Sequence, residues 1–221
     1  MVSVLTLLPL FITLLVCVSA AFFIYRRKSL AQSICIQQAA RMQNDLKTPL
    51  KKLLKMNPRA TSLRAQRTQA DANVTATEAS GYPPAIAAAR AQQTAVIAQQ
   101  TEFHLEQLAL LADAQRIRLE AETTLRMRVL PLQAEGVQSM AYYQRPLAVE
   151  PKPPLDLSPN YETVAEFTPL QQHRFRYLVD LISGFPRELG LSARQVTECA
   201  VSLHPGEEDE WDIEILTAKA Q

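Results

Sequence analysis

The hydrophobic pattern divides the chain into an uninterrupted apolar run, two long stretches with helical spacing, and a tail of short alternating segments. The first twenty-five residues, Met1 to Tyr25, contain no Asp, Glu, Lys or Arg and stop abruptly at Arg26, Arg27 and Lys28. A helix needs about 20 apolar residues to cross a hydrocarbon core of about 30 Å, so residues 1–25 are predicted to be a transmembrane anchor. A cleaved signal peptide is the rival reading, because Val18, Ser19 and Ala20 form a small-x-small site. The n-region has no Lys or Arg, and Phe22, Phe23, Ile24 and Tyr25 continue the apolar run past that site, which favours a retained anchor.

From Ser29 the composition is rich in Ala, Gln, Leu, Lys and Arg and has no Gly until Gly81. This is helix-forming composition. Thr48-Pro49 and Asn57-Pro58 each place a capping side chain before a Pro suited to a first helical position, predicting segments over 29–47, 49–56 and 58–79. Ile34, Met42, Leu46, Leu50, Leu53 and Leu54 form the apolar face. Ser80-Gly81-Tyr82-Pro83-Pro84 predicts a turn: Gly ends a helix in the left-handed conformation, and Pro opens the next.

Pro84 to about Val129 then reads as one helix of about 69 Å. Val96, Phe103, Leu110 and Ile117 recur every seven residues, and Ile86, Ile97, Leu108 and Leu119 every eleven; each set keeps near one stripe. Gln93, Gln100 and Gln107 interrupt the pattern, so no supercoil hand is predicted. Two long helices joined by a tight turn predict an antiparallel hairpin stalk over residues 26–130, with its turn at 80–84. The helix-packing stripe Val96, Phe103, Leu110, Ile117 is either satisfied within the hairpin or shared by self-association.

Residues 131–168 form a Pro-rich connector with short strands expected at Val137–Tyr143 and Tyr161–Phe167. Thr168-Pro169 repeats the cap signature, and residues 169–183 are predicted as an amphipathic helix stopped by Gly184. Thr197, Cys199, Val201 and Leu203 alternate, as do Trp211, Ile213 and Ile215, which predicts a β-hairpin under that helix. Residues 169–221 thus make a small α+β cap, and the fold class is a membrane-anchored α+β protein.

Charge sharpens this layout. The net charge of +1 conceals +10 over residues 1–70, −2 over 71–145 and −7 over 146–221. A basic membrane-proximal stalk and an acidic distal cap are expected. Arg26, Arg27 and Lys28 are candidates for lipid head-group contact. With Arg41, Lys47, Lys51, Lys52 and Lys55 they also argue for a cytoplasmic body, since Lys and Arg near a span stay inside. The cysteines point outward. Cys17 lies in the span, leaving Cys35 and Cys199 as a disulfide candidate in an oxidising compartment, or as two unrelated thiols.

Candidate chemistry is thin. The basic stretch has no aromatic residue between Tyr25 and Tyr82, which argues against nucleic acid. His104 has no ligand-type residue at i±3 or i±4, and Glu120 and Glu122 point to different helix faces. His204, Glu207, Glu208, Asp209 and Glu210 match no calcium or zinc spacing and read as a solvated hairpin tip. No phosphate loop, nucleophile elbow or metal signature is present. The expectation is a non-enzyme without catalytic residues, cofactor, metal or small-molecule substrate.

The layout, an anchor running into ICIQQAARMQNDLKTPLKKLLKMNPRATSLRAQR, a helical return and a β-containing end, resembles the minor-pilin-like proteins of bacterial tight-adherence pili. The span has no Glu and no charged, Gly-containing leader precedes it, so prepilin-peptidase cleavage is not part of the expectation. The resemblance implies an inner-membrane protein with an extracytoplasmic body, a role in envelope or pilus assembly, and membrane lipid and other envelope proteins as partners. A cytoplasm-facing, membrane-tethered adaptor is the alternative.

Overall fold

Among the described residues, three helices, α1 Val2–Lys55, α2 Asn57–Ser80 and α3 Pro83–Gln133, precede six strands. These are β1 Val137–Tyr143, β2 Val149–Lys152, β3 Asn160–Thr163, β4 His173–Asp180, β5 Arg194–Pro205 and β6 Trp211–Thr217. The structure, a computed structural model, describes residues 2–133, 137–143, 147, 149–153, 155–163, 173–180, 194–205 and 211–217. Side-chain surroundings are described for 8–23, 25–133, 147, 149–153, 155–163 and 199.

α1 and α2 run end to end, with only Met56 outside the helical ladder. Asn57 opens α2, with Pro58 in its first turn, and Ala60 N–H bonds back to Met56 O at 3.0 Å. The two breaks expected from Pro are therefore corrected to one. α1 continues through Pro49, because Leu46, Leu50 and Leu53, each 1% exposed, hold that turn in the core and offset the missing N–H bond. Asn57 is not the cap either: the N-cap is Met56, without a side-chain hydrogen bond.

Gly81 adopts φ 67°, and its N–H bonds to Glu78 O, closing α2 in the left-handed turn that its sequence predicts. α3 then returns antiparallel along α2 and onto α1. Arg90 meets Glu78, Gln93 meets Asp71, Gln100 meets Leu63, and Arg59 meets Glu106, so each turn of α3 steps one turn back down. At 51 residues, or about 76 Å, α3 outruns α2 and ends beside the start of the folded body. There Leu125, Val129 and Leu132 pack on Ala31, Cys35 and Ala39.

The seam follows the seven-residue row over part of its length and draws on a second one. Val96 and Phe103 are buried, and Leu110 and Ile117 pack partly buried against the core. A second seven-residue row, Gln100, Gln107, Ala114 and Ala121, is buried beside it. Of the glutamines that interrupt the apolar pattern, Gln100 and Gln107 are core residues and Gln93 is half-buried. After Ile117 the count changes: Thr124 and Pro131, next in register, are exposed, while Ala121, Leu125, Val129 and Leu132 carry the seam.

The strands form two antiparallel sheets, one ordered β1-β4-β5-β6 and the other β2-β3. The alternating series of the expected hairpin oppose one another directly, with Val201 facing Ile215 and Leu203 facing Ile213. The helix predicted over residues 169–183 is corrected: His173–Asp180 is β4, paired with β1 on one side and β5 on the other. The same segment interleaves Phe175, Tyr177 and Val179 with Arg174 and Arg176, a two-residue period. Pairing on both sides outweighs the three- and four-residue spacing. The strand expected at Tyr161–Phe167 is β3 through Thr163; residues 164–167, Gly184 and the acidic tip Glu207–Glu210 lie outside the described residues.

The place of the sheet is a second correction. The acidic C-terminal part is not a cap at the far end of the stalk. β5 and β6 pack against α1, and Cys199 of β5 is buried in the cluster of Ala31, Cys35 and Ala39. The far end is the Gly81 turn. Because α3 doubles back over the whole rod, everything after it begins at the base.

Candidate functional site

The base of the rod gathers the features singled out in the sequence. Every described residue from Leu8 to Phe23 is exposed, including Leu10, Phe11, Ile12, Leu14, Leu15 and Val16. Among the described residues there is thus one helix, near the N-terminus, long and apolar enough to span a membrane. Phe22, Phe23 and Tyr25 close the apolar run with exposed rings, and the basic triplet follows. An aromatic belt followed by cations is the order in which a helix passes from hydrocarbon through head groups.

The triplet is not uniform. Arg26 is exposed, whereas Arg27 is half-buried with its guanidinium 4.3 Å from the centroid of the Phe23 ring. A cation over a ring face is held by the ring quadrupole, which fixes Arg27 back along the helix toward the apolar side. Lys28 is half-buried.

Immediately beyond, Ala31, Cys35 and Ala39 lie four residues apart on one face of α1 and are at most 1% exposed. Small side chains there admit both α3 and the sheet at close range. Cys35 and Cys199 are joined in a disulfide, with their Cα atoms 6.2 Å apart and 164 residues between them in sequence. The bond pins β5, and through it the sheet, to the helix that carries the apolar run. Cys17, on the apolar run, is a free and exposed thiol.

A second polar construction lies halfway along the rod, where α1 gives way to α2. The Asn57 side chain donates to Tyr161 O at 2.7 Å and accepts from Tyr161 N–H at 2.8 Å. Gln107 Nε2 donates to Pro159 O at 2.9 Å, Ser158 Oγ donates to Gln100 O at 3.4 Å, and Arg64 lies 3.9 Å from Asp156. Residues 156–161 are thereby strapped across the seam between α2 and α3. Ser158 takes φ 75° and is fully buried, a left-handed residue held by its surroundings. Sequence reasoning missed this strap. Its signal was the buried-phase position of Gln100 and Gln107 in the seven-residue row.

Among the described residues no group of three or more His, Cys, Asp or Glu could hold a metal ion. His104 is half-buried, with Nδ1 shielded and without a hydrogen-bond partner. Glu120 and Glu122 are separately occupied, by Arg116 and Arg126. Arg116 is held between Asp113 and Glu120, and hydrogen bonds to both carboxylates raise its pKa. These charges are partners to one another along a helix face.

In comparison with known proteins, the chain matches no family, no curated sequence and no solved structure. The functional reading accordingly rests on its own residues.

Proposed function

We propose that this chain is a single-pass membrane protein whose folded body stands on the extracytoplasmic side. There it serves as a structural or assembly component of a bacterial envelope machine of the pilus type. The observation that carries the reading is the Cys35–Cys199 disulfide at the base of the rod. Such bonds persist in oxidising compartments and are rare in the cytosol. A rod of about 80 Å beyond the span sets a distance from the membrane, and helix and sheet surfaces are its means of action. The resemblance of the sequence layout to minor-pilin-like proteins implies the same direction.

The alternative is a cytoplasm-facing tethered adaptor, favoured by the run of Lys and Arg after the span. An enzyme reporter fused after Gln221, active only outside the cytoplasm, separates the two, together with thiol alkylation without reductant. The proposal expects an active reporter and only Cys17 alkylated. A silent reporter with all three thiols labelled overturns it, and salt-sensitive binding of residues 26–67 to anionic vesicles would then support the adaptor.

A further inference from the structure

The two periods of α3 separate in space. The seven-residue stripe faces the hairpin, and the eleven-residue one turns outward. Ile86 and Ile97 are half-buried, Leu108 and Leu119 are 44% and 49% exposed, and Leu130, the next in the series, is 52% exposed. Leu105 and Met127 widen the outward stripe, each at least 60% exposed. Eleven residues in three turns, 3.67 per turn, is close to the natural helix, so this stripe runs almost straight along the rod.

We infer that this outward face of α3 is where a second copy of the same chain docks, with the two rods side by side and pointing the same way. The inference rests on the single-pass reading above, since two copies anchored in one membrane by the same end must stand parallel. Residue levels then coincide, and a straight apolar stripe meets its own image over its full length. From Ile97 to Leu130 the stripe is about 50 Å long; at a helix width of about 10 Å a pair buries on the order of 1,000 Å², where specific interfaces begin. Anchoring also confines the copies to a plane and raises their effective concentration.

Charge selects α3 over the open face of α1. On α1, Arg41, Lys51, Lys52 and Lys55 are all exposed, and Asp45 is the only acid on that helix. Two such faces would set like charges together, which is costly. On α3, Arg116 beside the stripe is bound by Asp113 and Glu120, and Arg126 within it by Glu122, so these charges are neutralised within each copy. Exposed Glu102 and Arg128 add one charge of each sign, so α3 does not present the one-sign face that α1 does.

The test uses the full-length chain in membranes with Cys17→Ser as background. Leu119→Cys and Leu130→Cys, on the stripe, are each expected to give a twofold-mass species with a short bis-maleimide. Thr48→Cys, at about the level of Arg116 but on the basic face of α1, is expected to give none. Leu108→Glu with Leu119→Glu, both at exposed positions, should halve the particle mass in detergent and leave the helical signal unchanged. Equal crosslinking at Thr48→Cys, crosslinking of Leu119→Cys only to a different protein, or an unchanged mass in the double variant would overturn the inference. The reporter fused after Gln221, read in the same strains, reports compartment independently: crosslinking with a cytoplasmic reporter keeps the pairing and removes the extracytoplasmic role.

Discussion

Asn57 treats Tyr161 as one strand treats another: its side-chain amide donates to the Tyr161 carbonyl at 2.7 Å and accepts the Tyr161 N–H at 2.8 Å. A helix-terminal side chain thus supplies both bonds that a neighbouring β-strand would give, exactly where α1 passes into α2. Replacing it by Ala leaves a partly buried N–H and C=O without their partners. Asn57→Ala should cost about 1–3 kcal/mol. Asn57→Asp keeps the acceptor and sets a carboxylate against a carbonyl, so it should not rescue. Urea unfolding of the full chain in detergent, followed by helical signal, measures both.

Gln107 tests the strap separately from the hairpin. It is fully buried, its Nε2 holds Pro159 O at 2.9 Å, and its Oε1 is shielded without a hydrogen-bond partner. Gln107→Leu removes the shielded oxygen and fills the same volume, but leaves Pro159 O unpaired. The opposing effects predict a change in global stability within about 1 kcal/mol. Residues 155–161 should nevertheless be cut faster by protease. A large loss of stability with no change in cleavage would mean that Gln107 serves the helix seam and not the strap.

Phe103 is the apolar counterpart in the same seam. It is fully buried against Ala60 and Leu63, and the Arg59 guanidinium sits 4.9 Å from its ring centroid. Phe103→Ala removes the ring and the surface Arg59 lies on. The expected cost is about 3–5 kcal/mol, read from the same unfolding curves.

The helical half of this fold was legible because its signals are local. Gly81 needs a left-handed backbone, and Val96, Phe103, Leu110 and Ile117 keep one register over three turns of the repeat. Gln100 and Gln107 were read as interruptions because polar residues are priced as surface until their partners, here Leu63 O and Pro159 O, are known. Residues 173–180 carry two periods, and only the presence of β1 and β5 on either side decides between them. The place of the sheet turns on a cysteine pairing that the sequence offered but left open. A Cys35–Cys199 bond puts the C-terminal strands beside a residue ten positions after Tyr25, which is incompatible with an acidic cap at the far end. Long-range pairs of this kind outrank the order of segments along the chain.

Two titrations follow from the polar contacts. Burial raises the pKa of the Tyr161 phenol above its ordinary value of 10.0, so the fold favours the protonated form. Its contribution is complete below about pH 10 and is lost as pH rises through the folded value. Stability should decline above pH 10, and Tyr161→Phe should flatten that decline. An unchanged alkaline limb in the variant would assign the loss to other groups.

Asp71 has the opposite sign. Gln93 donates to it at 2.7 Å and Arg67 at 2.9 Å, and these bonds hold its carboxyl below the ordinary 3.8. Its contribution is present above that value and is lost as pH falls through the depressed one. Because Gln93 is on α3, protonation loosens the distal half of the hairpin, near the Gly81 turn, and leaves the disulfide-pinned base intact. Hydrogen exchange should therefore quicken in residues 71–93 as the pH drops below about 3.8, ahead of residues 35–55 and 110–129. Asp71→Asn should show the faster distal exchange already at neutral pH, with little further change on acidification. Simultaneous loosening of both halves would place the acid-sensitive contact elsewhere in the chain.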